Sequence, residues 1–244
     1  MRRLLLTVGY KGTNYGGFQR QNNANTIQQE LETVLEKVCN HKVTVFPSGR
    51  TDAGVHALKQ FVHFDTESQI SEQNLIRAVN TFLPEDIRVF EAKIVDPDFH
   101  ARFNVKKKTY MYIYSLNKIV NPLLSGLVTP LKYQIDFKLV NDAINLLKGK
   151  HNFKAFCSSG SSVTNFEKTI HDFTVEKQGE YLIFKVTGDG FLYNMVRIIM
   201  GTIIDIARGK LPLDNIAKMF KSGDRSFGGT TASQFGLYLY NVEY

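Results

Sequence analysis

Twice along this chain, segments with alternating apolar residues and segments with helically spaced apolar residues follow one another in the same order, which restricts the folds open to it. Arg3 to Tyr10 alternates as a strand does. Thr26 then opens a helix whose apolar positions Ile27, Leu31, Val34, Leu35 and Val38 share one face. Lys42 to Phe46 and Leu58 to Phe64 have strand character. Ser71 suits the N-cap of a helix from Glu72 to Phe82, Pro84 stops that helix, and Ile87 to Val95 is again a strand. The order is β-α-β-β-α-β. It recurs as strand Thr109 to Leu116, helix Phe137 to Lys148, strands Phe166 to Glu176 and Tyr181 to Val186, helix Phe191 to Arg208, and a final strand Gly236 to Glu243, with a shorter helix Asp214 to Phe220 before it.

Two such split βαβ units predict an α+β protein. We expect two ferredoxin-like (RRM-like) βαββαβ halves, each an antiparallel sheet with helices on one face, combined around a central active-site cleft. The halves are expected at 1–100 and 105–244. The join falls in Asp96 to Lys108, where Pro97, Asn104 and the run Lys106-Lys107-Lys108 break the periodicity. With 244 residues, 43% of them hydrophobic, the chain has enough apolar surface for a substantial core.

Several function classes are disfavoured. The apolar stretch after Met1-Arg2-Arg3 is too short for a signal-peptide core and runs into a charged loop, so a cytoplasmic protein is expected. The most apolar region, Phe191 to Ala207, is interrupted by Asn194, Arg197 and Asp205, which marks a core helix and not a membrane span. Cys39 and Cys157 are far apart, and the six histidines form no cluster at ligand spacing, so neither disulfide nor metal is expected. The loop Lys11 to Asn25 carries Gly12, Gly16 and Gly17 but neither phosphate-cradling glycine pattern, so no nucleotide cofactor is expected. The net charge of +7 favours a polyanionic partner. In the loop His151 to Asn165, Lys154 and the serines 158, 159, 161 and 162 can hold phosphates, and a flexible serine loop fits the same composition.

Chemistry is suggested most strongly by Pro47-Ser48-Gly49-Arg50-Thr51-Asp52-Ala53-Gly54-Val55-His56-Ala57. One carboxylate stands there among turn-forming residues, directly before a strand. Gly49 and Gly54 free the backbone for a tight turn that presents Asp52; an ordinary polar hairpin loop uses the same residue types. Arg197 lies in an apolar helix with no carboxylate three or four residues away, so its partner must come from elsewhere. Asp52 is a candidate, and a structural carboxylate or escape to the surface is the alternative. Paired with an arginine, Asp52 would be held ionised and oriented, as a nucleophile requires. Tyr110 opens the alternating strand Tyr110-Met111-Tyr112-Ile113-Tyr114 directly after Lys106, Lys107 and Lys108; its ring can stack on a base while the lysines face phosphate.

These residues resemble tRNA pseudouridine synthases of the TruA type over nearly the whole chain. The most specific match is Gly49-Arg50-Thr51-Asp52-Ala53-Gly54-Val55-His56-Ala57. Others are Ala101-Arg102-Phe103 with Lys108-Thr109-Tyr110, His151-Asn152-Phe153 with Phe156-Cys157, Gly190 through Arg197 with Gly201-Thr202, and Gly236-Leu237-Tyr238-Leu239. The resemblance implies a two-lobed fold, a homodimer, no cofactor, and conversion of uridines 38, 39 and 40 in the tRNA anticodon arm to pseudouridine. It also implies roles: Asp52 as nucleophile, Arg197 as its ion-pair partner, Arg50 helping to displace the base, and Tyr110 contacting the target uracil. The sequence leaves three routes open, with the aspartate attacking C1', attacking C6, or assisting a glycal path.

The chain departs from the family pattern in two places. Thr231-Ala232-Ser233-Gln234-Phe235 lacks the proline usual before Gly236-Leu237, and Phe18 replaces a usual tryptophan. A non-catalytic RNA-binding protein with two RRM-like lobes accounts for charge, aromatics and fold without needing Asp52 beside Arg197. A glycoside hydrolase normally needs a second carboxylate, and none is evident. If the lysines meet phosphates, replacing Lys106, Lys107 and Lys108 together by alanine will reduce the slope of log affinity for RNA against log salt, by about 0.7–0.9 for each phosphate that is no longer neutralised. Titrations across a salt series check this, and an unchanged slope excludes the role.

Overall fold

The computed structural model describes residues 1–160 and 163–244. Ser161 and Ser162 of the serine loop lie outside the described residues. In chain order the elements are β1 (Arg2–Tyr10), α1 (Ile27–Cys39), β2 (Phe46–Pro47), β3 (His56–Thr66), α2 (Glu72–Phe82), β4 (Ile87–Val95), β5 (Lys107–Ser115) and β6 (Thr129–Pro130), then α3 (Phe137–Leu147), β7 (Gly149–Asn152), β8 (Glu167–Gln178), β9 (Tyr181–Gly188), α4 (Met195–Ala207), α5 (Asn215–Ser222) and β10 (Leu237–Glu243). This is the expected α+β class. The chain divides into two compact units, one of Met1–Lys106 with Tyr238–Tyr244, the other of Lys107–Leu237.

In the first unit β4 and β3 flank β1, both antiparallel to it. The short β2 pairs with the far side of β3 (Phe46 opposite His63), and β10 runs parallel to β3, with Tyr238 opposite His56. Local chemistry explains the helices. The Thr26 side chain accepts from Gln29 N–H to open α1, and Ser71 accepts from Asn74 N–H to open α2. Ile27, Leu31 and Leu35 of α1, with Leu75 and Val79 of α2, are fully buried, as are Leu4, Leu6 and Val8 of β1. The expected strand Lys42 to Phe46 is reduced to Phe46–Pro47 because Val45 N–H is taken by the buried Glu32 side chain at 3.1 Å instead of a neighbouring strand.

In the second unit β5, β9, β8 and β7 lie side by side, antiparallel throughout, with β6 parallel to β5. Two expectations are corrected here. The final strand was expected to complete the second half, but it belongs to the first unit. The fourth main strand of the second unit is β7, in a stretch read from sequence as loop. At four residues, with no apolar alternation, β7 lacks the pattern by which strands are recognised. In β10, Leu237, Tyr238 and Leu239 are all buried, a run covered on both faces.

Helix α4 begins at Met195, not at Phe191, because Asn194 takes a left-handed conformation (φ 59) that ends the preceding turn. Beside α4, the segment carrying Gly228-Gly229-Thr230 approaches so closely that a Cβ on Gly201 would lie 1.6 Å from Thr230 O. Gly201 is therefore required for this packing and is not merely tolerated in the helix.

His63 on β3 is fully buried, stacks on Phe46 and accepts from Ala101 N–H at 3.1 Å. Burial first, then the His100 ring and Arg3, push its pKa down to about 4, so the folded protein holds it neutral. The unfolded chain binds this proton from pH ~6.5 downward, so the contribution of neutral His63 to stability is intact above pH ~6.5 and is lost as the pH falls towards 4. In urea unfolding across pH 4 to 7, His63→Gln is expected to show a shallower acid loss than wild type; equal slopes would exclude His63 as the source.

Candidate active site

Asp52 is presented by the loop between β2 and β3, fastened from beneath by buried polar side chains. Tyr10, at the end of β1, places its hydroxyl 2.8 Å from Thr51 Oγ1. Gln60 Nε2 donates to Gly49 O at 2.7 Å and reaches the same hydroxyl at 3.5 Å. The Tyr10 oxygen thus accepts from Gln60 and has its own proton to give to Thr51. Ser48 Oγ in turn donates to Gln60 Oε1. All four side chains are buried. Burial pushes Tyr10 up to about 12 against the smaller opposite effects of Thr51 and Gln60, so the hydroxyl keeps its proton at neutral pH.

The segment between β1 and α1 wraps the same loop. Phe18 N–H donates to Thr51 O at 3.0 Å, Gly54 N–H donates to Tyr15 O at 3.3 Å, and Val55 N–H donates to Asp52 O at 3.1 Å, closing the turn. A Cβ on Gly12 would lie 2.0 Å from Val55 O, and one on Gly17 (φ +108) 2.8 Å from Thr51 O. Gly12 N–H donates to His56 Nδ1 at 3.0 Å, which leaves the imidazole proton on Nε2. Asp52 is left half-buried, with Arg50 exposed two residues before it.

In the second unit Tyr110 lies on β5 opposite Val186, half-buried, its ring edge-on to Phe191 at 5.1 Å. Arg197 projects from the first turns of α4. Its Nε donates to Ala232 O at 2.8 Å, one terminal nitrogen donates to Asn194 Oδ1 at 2.8 Å, and the other to Gln234 Oε1 at 3.4 Å. Ala232 N–H returns a bond to Arg197 O at 3.0 Å. The left-handed Asn194 is held by its side chain, which accepts from Arg197 and donates to Ser158 Oγ at 3.0 Å. These contacts fix the guanidinium plane with neutral acceptors, so its positive charge is oriented without being cancelled by them.

Of the candidates read from sequence, Arg50 and Asp52 share one loop of the first unit, and Tyr110 and Arg197 stand on β5 and α4 of the second. Lys106 and Lys107 are exposed and Lys108 is half-buried. Among the described residues, no group of three His, Cys, Asp or Glu side chains could hold a metal ion, and no helix is long and apolar enough to cross a membrane. Sequence reasoning missed Tyr10, Gln60 and Ser48 beneath the loop and the Ala232–Gln234 contacts to Arg197. Gln60 had left a trace, as a polar residue inside the apolar strand Leu58 to Phe64.

An acid on a rigid loop, in an α+β chain with fixed arginine and tyrosine side chains, is the equipment of an enzyme. The family described as tRNA pseudouridine synthase matches residues 6–104 and 143–244. The chain belongs to this family, whose members are isomerases acting on RNA. Over its full length it is 41% identical to a tRNA pseudouridine synthase A of Exiguobacterium sp., covering 98% of that protein. It is 42% identical to one of Streptococcus mutans, covering 99%, and 40% identical to one of Thermoanaerobacter sp., covering 100%, again over the whole of this chain.

Tyr10→Phe removes the hydroxyl that links Gln60 to Thr51. The expected outcome is a loss of about 1–2 kcal/mol in urea unfolding and a turnover reduced about tenfold, because the Asp52 loop is less rigid. Wild-type turnover in the folded variant would show that this bolt does not serve the loop's function.

Proposed function

We propose that this chain isomerises uridine to pseudouridine at positions 38, 39 and 40 of the tRNA anticodon arm, as a homodimer and without metal or cofactor, with Asp52 as the nucleophile. Support for the substrate comes from the full-length likeness to proteins named tRNA pseudouridine synthase A. The observation that carries the role of Asp52 is its loop, held by a buried hydroxyl–amide chain and by backbone contacts too close for a Cβ. Such fastening suits a carboxylate that must meet one carbon of a nucleotide in one orientation.

The reaction breaks the C1'–N1 bond, turns the uracil within the site, forms the C1'–C5 bond, releases the hydrogen of C5 as a proton, and takes up one proton at N1, so that no proton is gained or lost overall. Nothing is oxidised or reduced, so the site has to supply only a nucleophile, charge stabilisation and a surface that retains the detached base. Arg197 is the ion-pair partner that keeps Asp52 ionised; this pairing rests on the family motifs. Its three neutral acceptors leave the guanidinium its full charge for that task. Tyr110 contacts the target uracil, and its edge-on packing against Phe191 keeps the ring in one place. A uridine in a paired stem must first leave the stack, at a cost of a few kcal/mol, and the exposed Arg50 beside Asp52 helps to displace it. Lys106, Lys107 and Lys108 hold phosphates. The two units are read as ferredoxin-like lobes, supported in the first by the order β4-β1-β3 with β2 on the outer side of β3.

Isomerisation must expel the hydrogen on C5. Tritium release from tRNA labelled at uracil C5 is therefore expected with the wild type and to fall at least ~10³-fold in Asp52→Asn, with tRNA affinity within about twofold. Turnover surviving in the purified variant would sink the assignment of Asp52. Binding without release by the wild type would make the chain an RNA-binding protein that keeps the fold without the chemistry.

A further inference from the structure

The second unit contains a buried acid for which the proposed reaction has no direct use. Asp205 sits on α4 two turns beyond Arg197, and its side chain is only 3% exposed. Oδ1 accepts from Arg208 Nε at 2.9 Å and lies 2.7 Å from Nη2 of the same guanidinium in an ion pair. Oδ2 accepts from Lys210 Nζ at 3.2 Å, from Thr230 N–H at 3.0 Å and from the Thr230 hydroxyl at 3.4 Å. A carboxylate this buried is tolerated because every contact is a donor, and two of those donors are cations.

Thr230 begins a strap that runs back along α4 towards Arg197. Gly229 N–H donates to Thr202 Oγ1 at 3.0 Å, and Gly229 lies against the backbone of Gly201 and Thr202, where its own Cβ would come within 2.7 Å. Ala232 exchanges two hydrogen bonds with Arg197, one to the helix carbonyl and one from the guanidinium Nε. Ser233 O is held by the Tyr112 hydroxyl at 2.6 Å, and Gln234 receives the last Arg197 bond. The strap thus supplies two of the three acceptors that orient the guanidinium, and its upstream end is fastened by a charge.

We propose that Asp205 is a positioning residue for the reaction: by anchoring Thr230 it sets the Thr230–Gln234 strap, and through Ala232 and Gln234 it holds Arg197 in its working orientation. This rests on the reading of Arg197 as a site residue. Arg225 flanks that anchor, donating to Gly229 O at 2.6 Å and to Thr231 Oγ1 at 3.4 Å, but it does not touch Thr230 itself. Ala232 O can meet Nε only while the chain between it and Thr230 keeps its register on the helix. Replacing Asp205 by asparagine keeps the volume but removes the charge and leaves one acceptor oxygen for donors that now occupy two, so the hold on Thr230 is weakened while Arg208 and Lys210, partly exposed, regain water.

A double-mutant cycle in single turnover tests this, using Asp205→Asn, Arg197→Lys and the combination, with C5 tritium release as the rate and tRNA affinity measured alongside. Asp205→Asn is expected to slow the chemical step about 10–100-fold with affinity within about twofold, and to cost less than about twofold more in the Arg197→Lys background. Asp205→Glu, which retains the charge, is expected to recover part of the rate. An Asp205→Asn penalty of equal size in both backgrounds, or none beside a strongly impaired Arg197→Lys, would overturn the proposal and leave the Arg197 reading standing. Wild-type turnover in Arg197→Lys would instead remove the Arg197 reading and the proposal with it. Thermal unfolding of each variant separates a lost fold from a lost orientation: a folded Asp205→Asn that binds tRNA with weakened affinity and unchanged single-turnover rate also rejects the proposal.

Discussion

Backbone contact closer than any side chain permits is the constraint that underlies the proposed site in both units. Around the acid, Gly12 faces Val55 O and Gly17 faces Thr51 O at distances where a Cβ would lie 2.0 and 2.8 Å away. Along α4, Gly201 faces Thr230 O where a Cβ would lie 1.6 Å away. Each contact lets one loop lie directly on another piece of main chain, so loop position is set by stiff backbone and not by side-chain rotamers. Glycine costs conformational entropy on folding and weakens helices, and here that cost is offset by placement. Without these contacts the loop that carries Asp52 and the segment that supplies acceptors to Arg197 on α4 would not be held against their neighbours by main chain.

Upon that packing lies a second layer of buried polar pairing. Tyr10, Gln60, Ser48 and Thr51 satisfy one another beneath the acid loop, and Asp205 gathers four donor groups beside α4. Among the described residues, no buried side-chain nitrogen or oxygen lacks a partner. Such networks add only about 1 kcal/mol per bond, but removing one member strands the others, so they select one loop geometry over its neighbours. The two networks differ in kind. The one under Asp52 is neutral, with Tyr10 kept protonated by burial, whereas the one behind Arg197 is ionic. A neutral scaffold beneath the acid adds no second charge to the loop.

Charge is distributed to suit an RNA substrate. The chain carries a net +7, with Arg50, Lys106 and Lys107 exposed, while the acids set deepest, Glu32 and Asp205, are tied to structural cations. Arg20 neutralises Glu32 at 2.7 Å, and Arg208 with Lys210 neutralises Asp205. The interior acids are thereby spoken for.

Whatever depends on near neighbours was legible in the residue order: the α+β class, the capped helices at Thr26 and Ser71, β1, β3 and β4 from their strand character, and the motif that singles out Asp52. Those signals are local because a cap or a strand face is written within a few residues. Long-range packing alone settles that β10 joins the first unit, that β7 pairs with β8 as a further strand of the second unit, and that Val45 gives its N–H to Glu32 and so leaves a two-residue strand. It also settles that Asn194 turns left-handed and starts α4 late, bridging Ser158 and Arg197. In each case the deciding partner is far along the chain or is a side chain competing with the backbone for a hydrogen bond. Residue type reveals a capacity to bond, and only the fold selects which of several able partners takes it.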